Sequence, residues 1–71
     1  MDVVQLLDVN VRHHRKLKGM TQEQLAAAAD MERSYVSDLE RCRRNPSVAA
    51  LGRLANALGI QPHQLLMPVA D

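Results

Sequence analysis

The sequence predicts an all-α fold, a compact bundle of five helices. Three observations carry that expectation. The 71 residues are 46% hydrophobic yet include one Tyr and no Trp or Phe, so the core is built from Leu, Val, Ala, Met and Ile, which favour helices apart from the β-branched ones. Only three Gly and three Pro leave few turns, all of them short. Apolar residues recur at spacings of three and four, as on helices with one buried face. The chain reads as one domain, residues 1–71 with a core of about 4–67, near the lower size limit for folding alone.

Helix one is expected over residues 2–18, with Val4, Leu7, Val11 and His14 on one stripe and Leu17 extending it. His14 reads as a partly buried neutral imidazole with one hydrogen bond and His13 as surface. Adjacent helical residues point about 100° apart, so the pair makes a poor metal site. Gly19 closes the helix as a left-handed cap with Met20 packing behind it. Thr21 caps helix two, which runs through Leu25 to about Ala29. After a break at Asp30-Met31, helix three spans about Arg33 to Arg41. Ser47 caps helix four, Val48 to Leu58, which buries Val48, Leu51, Leu54, Ala55 and Leu58. Gly59-Ile60 ends it, and Pro62 starts a short fifth helix. Leu66 is expected to close the core, leaving Leu65, Met67 and Val69 partly exposed. Such a strip suggests a homodimer face; the alternative is a loosely packed carboxyl terminus.

Residues 21–41 organise the rest. Ala26 is small enough for helix three to cross close over helix two. Asp30 stands where the chain reverses within about three residues, a position that favours φ > 0 and that Asp tolerates better than most. Val36 and Leu39 point back at Leu25 and Ala29. Arg33, Ser34, Ser37 and Asp38 then face away from the core. A short helix held proud of a small bundle, polar side outward, fits a DNA major groove.

Bulk charge is only +1 and does not itself argue for nucleic acid. Arg12, Arg15, Lys16 and Lys18 cluster in helix one, and Arg41, Arg43 and Arg44 follow helix three. Either cluster is also compatible with an ordinary solvated face. The lone Cys42 excludes an intramolecular disulfide and suits a reducing cytoplasm. No signal peptide or membrane span is visible. Nucleophile–base pairs, metal-ligand clusters and phosphate-cradling Gly loops are absent from the pattern, so neither an enzyme nor a cofactor is expected.

From Gln22 to Glu40 the chain resembles the helix-turn-helix of the Cro/lambda-repressor (XRE) family of bacterial and phage transcription regulators. The likeness extends through Val11-Arg12 and Arg15, Leu39-Glu40-Arg41, Arg43-Arg44-Asn45-Pro46-Ser47, Leu51, Leu54-Ala55, Ala57-Leu58-Gly59-Ile60 and Leu65-Leu66, roughly residues 7 to 66. It implies a lambda-repressor-like domain that places helix three in the major groove of double-stranded DNA. By that resemblance Arg33, Ser34, Ser37 and Asp38 meet base edges. Thr21, Gln22, Tyr35, Arg43, Arg44 and Asn45 meet the DNA backbone, and Arg15 pairs with Glu40 in a structural salt bridge. Gln22 also reads as a helix cap, Tyr35 as a packing residue, and Asp38 as an orienter of Arg33 or Arg41. Four positions depart from the family pattern: Asp30 and Cys42 stand where Gly is usual, Glu32 replaces a Ser or Thr cap, and His14 replaces an aliphatic residue.

The resemblance implies a sequence-specific regulator acting as a homodimer on a palindromic operator. The second reading is a protein-interaction module of antitoxin type, with DNA binding secondary. Near-neutral charge and the acidic Glu32 and Asp38 favour it slightly.

Overall fold

A computed structural model describes residues 2–69. Four α-helices, α1 (Val3–Leu17), α2 (Gln22–Ala28), α3 (Arg33–Glu40) and α4 (Val48–Leu58), precede a 3-10 turn at Pro62–Leu66. Among the described residues the bundle therefore has four α-helices and one 3-10 turn, rather than five helices.

Local chemistry accounts for the boundaries. Asp2 accepts from the Gln5 amide at 2.8 Å while Gln5 accepts from the Asp2 amide, a reciprocal box that starts α1. Thr21 and Gln24 build the same box on α2, and Ser47 accepts from the Ala50 amide at the head of α4. Glu32 occupies the N-cap of α3 without a side-chain hydrogen bond. Gly19 (φ 66°) and Gly59 (φ 70°) terminate α1 and α4 in the left-handed region that Gly enters without a Cβ clash. Asp30 (φ 57°) and Cys42 (φ 59°) adopt the same conformation as L-residues, at a cost of about 1 kcal/mol or more each.

The core is aliphatic. Leu7 and Val11 of α1, Leu25 and Ala26 of α2 with Ala29 at its C-cap, Val36 and Leu39 of α3, and Leu54, Ala55 and Leu58 of α4 converge on it, with Met20, Met31, Leu51 and Ile60 packed around. Leu17 and Val48 stay outside. Val48 is 86% exposed because it is the first residue of α4, ahead of the stripe that Ala50, Leu54, Ala55 and Leu58 form. His14 is half-buried, and burial, aided by the neighbouring His13, lowers its pKa.

Leu65 and Leu66 exchange their expected places. Leu65 is fully buried, whereas Leu66 is 40% exposed. A 3-10 turn advances about 120° per residue instead of about 100°, so the side chains after Pro62 are rotated by about 60° within three residues. The turn packs on α1 and α4, and the buried Asn10 amide holds it there, donating to the Met67 carbonyl at 2.6 Å and to the Leu6 carbonyl at 2.9 Å. Leu65 is thus a core residue and no part of a dimer face.

Candidate nucleic-acid interface

The face of interest is built around α3, and two apolar residues set its orientation. Val36 and Leu39 are completely buried, which turns Arg33 and Ser34 to the exposed side with Ser37 and Asp38 half-exposed beside them. Ala26, 2% exposed, has no side chain beyond Cβ to hold α3 away, and the left-handed Asp30 reverses the chain between the two helices. Two short helices at close range with one polar ridge outward is the geometry of a helix-turn-helix.

The end of α3 is clamped by charge. Glu40, its last residue, is 3% exposed. Its carboxylate accepts from Arg15 Nε at 2.7 Å and Nη2 at 3.0 Å, a two-pronged pair, and from Gln22 Nε2 at 3.1 Å. Arg15 Nη1 also donates to the Met20 carbonyl. Arg12 donates to the Glu40 carbonyl at 2.6 Å, satisfying one of the carbonyls a helix end leaves free, and lies 3.8 Å from both Asp8 and the Glu40 carboxylate. Helices α1, α2 and α3 are therefore joined at one point. The sequence pairs Arg15 with Glu40 but places Arg12 only in a basic cluster and gives Asp8 and Asn10 no role. Positions 8, 12 and 15 share one face of α1 at helical spacing, a signal that could have found this cluster.

Asp8 is almost completely buried, and the carboxylate oxygen that faces Arg12 accepts no hydrogen bond. Desolvation raises its pKa above the ordinary 3.8, opposed by the nearby Cys42 thiol and by the Arg12 charge, and reinforced by Glu40. The thiol of Cys42 is held above its usual range by desolvation and by the neighbouring Asp8 carboxylate.

Beyond α3, Arg43, Arg44 and Asn45 lie exposed on the loop. Arg44 folds back over the half-buried Tyr35, its guanidinium carbon 4.9 Å from the ring centroid, with Nε 3.7 Å from Asp38. Asp38 thus faces Arg44 rather than the Arg33 or Arg41 expected from sequence. An open groove of about 350 Å³ runs between α3 and the start of α4, with Ser34, Tyr35, Arg44 and Arg53 among its walls. Thr21 is exposed and Gln22 half-buried at the head of α2. Gln22 gives one amide hydrogen to Glu40, and the second remains to donate. Met67 is 50% exposed and Val69 half-buried. No group of three or more metal-ligating side chains forms among the described residues.

A polar-fronted second helix, a clamped end and a basic loop on an aliphatic bundle define a helix-turn-helix domain. The family model described as helix-turn-helix matches residues 11–65, and the chain belongs to that family of transcriptional regulators. It is 43% identical over 71 residues to y4dJ, an HTH-type transcriptional regulator of Sinorhizobium fredii, covering all of this chain and 92% of that one. A solved hypothetical transcription factor from Neisseria superposes with a TM-score of 0.92 at 40% identity, covering 94% of this chain and 77% of the other. The restriction-modification controller protein C.Esp1396I, solved as a tetramer with its natural 35-base-pair operator, aligns with a TM-score of 0.81 at 30% identity, covering 86% and 80%. No helix among the described residues is long and apolar enough to cross a membrane.

Proposed function

We propose that this protein is a sequence-specific DNA-binding transcriptional regulator of the cytoplasm, a single domain whose task is binding rather than catalysis. The observation that carries the reading is the outward ridge of α3: Arg33 and Ser34 are exposed directly above the buried Val36 and Leu39. Arg33 is suited to a guanine, donating to O6 and N7, and Ser34 and Ser37 to adjacent base edges. Thr21, the free amide hydrogen of Gln22, and Arg43 and Asn45 of the loop supply phosphate contacts, which position the domain without specifying sequence.

The active form is a homodimer on a palindrome with half-sites about 10 bp apart. With Leu65 buried, its face shifts to the apolar groove between the starts of α1 and α4, lined by Val3, Val4, Pro46, Val48, Leu51 and Leu66. Val3, Val48 and Leu66 are all exposed there, and Met67, next in sequence, is exposed as well. The controller protein bound to its operator as a tetramer supports assembly on DNA.

The test is titration of duplex DNA selected from a randomised pool, at several salt concentrations. Arg33→Ala is expected to lower discrimination at one base pair by about 1–3 kcal/mol. Arg43→Ala weakens all duplexes alike and reduces the salt slope by about 0.9. No salt-sensitive binding by the wild-type protein refutes the proposal and favours a protein-interaction module instead.

A further inference from the structure

Arg44 leaves the loop after α3 and doubles back onto that helix. Tyr35 and Asp38, three residues apart, are neighbours on one helix face. The helix therefore provides a ring beneath the guanidinium, at 4.9 Å, and a carboxylate beside it, at 3.7 Å. The closest approach to Asp38 is through Nε, and the half-exposed guanidinium keeps two terminal nitrogens able to donate.

We propose that Asp38 and Tyr35 are positioning residues for Arg44, and that Arg44, rather than Asp38, is a second reader of base edges, specific for a guanine presenting O6 and N7. The inference rests on the DNA-binding reading above and reverses the roles that resemblance assigned to these two residues. Physical chemistry decides between base and phosphate for Arg44. A phosphate demands net positive charge and little direction, and the Asp38 carboxylate both cancels the charge of Arg44 and repels an approaching phosphate. A guanine edge is neutral, so it is not repelled, and it rewards two donors in fixed geometry. Arg is long and rotamer-rich, but a guanidinium already lodged between ring and carboxylate has given up much of that freedom before DNA arrives. Asp38 has one oxygen turned to Arg44, which makes it a poorer acceptor for a cytosine amino group.

The experiment is a double-mutant cycle. Wild type, Arg44→Ala, Asp38→Asn and the double variant are titrated with a duplex selected by the wild type from a randomised pool, and with its single-base variants, across salt. The side chains of Arg44 and Asp38 are 48% and 35% exposed, so unchanged thermal midpoints will confirm intact folds. Arg44→Ala is expected to flatten the preference at one guanine by about 5- to 100-fold while leaving the salt slope close to that of wild type. Asp38→Asn weakens preference at the same guanine by about 3-fold or more and does nothing once Arg44 is Ala. Arg44→Lys, lacking the fork, fails to restore it.

Uniform weakening on every duplex by Arg44→Ala, with the salt slope reduced by about 0.9, makes Arg44 a phosphate contact and overturns the inference. So does a change of preference at a cytosine on introducing Asp38→Asn into the Arg44→Ala protein. Both results leave the DNA-binding reading standing, whereas a wild-type protein that selects no sequence and binds no duplex overturns that reading itself.

Discussion

Replacing Arg15 by Ala probes the joint on which the orientation of α3 depends. Arg15 gives two hydrogen bonds to Glu40, at 2.7 and 3.0 Å, and a third to the Met20 carbonyl. Its side chain is 12% exposed and that of Glu40 3%, so solvent screens the pair little. Removing one partner of a buried pair costs about 3–5 kcal/mol, chiefly because the other charge is stranded. Here Gln22 at 3.1 Å and Arg12 at 3.8 Å still face the carboxylate, which reduces the expected loss to about 2–4 kcal/mol. A domain of this length is stable by about 4–10 kcal/mol, and each kcal/mol moves the midpoint by about 4–8 °C. Arg15→Ala should therefore lower the thermal midpoint, followed by helical circular dichroism, by about 10–30 °C. Adding Glu40→Ala should restore part of the loss, since the stranded charge goes with it. A cost below about 1 kcal/mol, the value of an ordinary surface pair, or a double variant as unstable as the sum of the singles, would refute the argument.

Other outcomes are as direct. Leu65→Ala should cost about 2–5 kcal/mol in urea denaturation and Leu66→Ala less than about 1 kcal/mol; the reverse order would show that the 3-10 turn is wrongly phased. Asp30→Val should lose about 1–2 kcal/mol against the left-handed conformation, whereas Asp30→Gly should lose nothing, a contrast that thermal melts will resolve. Because the pKa of Asp8 is raised above 3.8 in the folded protein, its contribution to stability is fully present below pH 3.8 and is lost as pH rises through the raised value. Relative to Asp8→Asn, the wild type should gain stability as pH falls from 7 toward 4, and parallel stability–pH curves for the two proteins would contradict the burial of that charge.

Features decided by neighbouring residues were legible from the sequence. Thr21 and Ser47 announce helix starts, Gly19 and Gly59 announce stops, and the strain at Asp30 follows from a reversal too short for anything but a left-handed residue. Val36 and Leu39 reveal the inward face of α3 because their spacing is that of the helix itself. What could not be read depends on pitch or on distant partners. Leu65 and Leu66 exchanged places because five residues wound as a 3-10 turn, and adjacent apolar residues carry no mark of which winding they adopt. Asn10 is buried by a carbonyl 57 positions away, so its polarity alone argued for the surface. Arg12 and Arg15 look equally solvated in sequence, yet one covers a helix end and the other enters the interior. Asp38 found Arg44 only because the loop turned back over Tyr35, a path set by the left-handed Cys42 and not by the order of charges.

The clamp at Glu40 also bears on how such a protein can change allegiance. All the anchoring of α3 is concentrated at its final residue and on its inner side, so the tip bearing Arg33 and Ser34 has no duty toward the rest of the molecule. Substitutions at that tip carry little thermodynamic penalty, and a new operator preference can be acquired without first rescuing the fold. Recognition and architecture are in this way inherited as separable parts of one short helix.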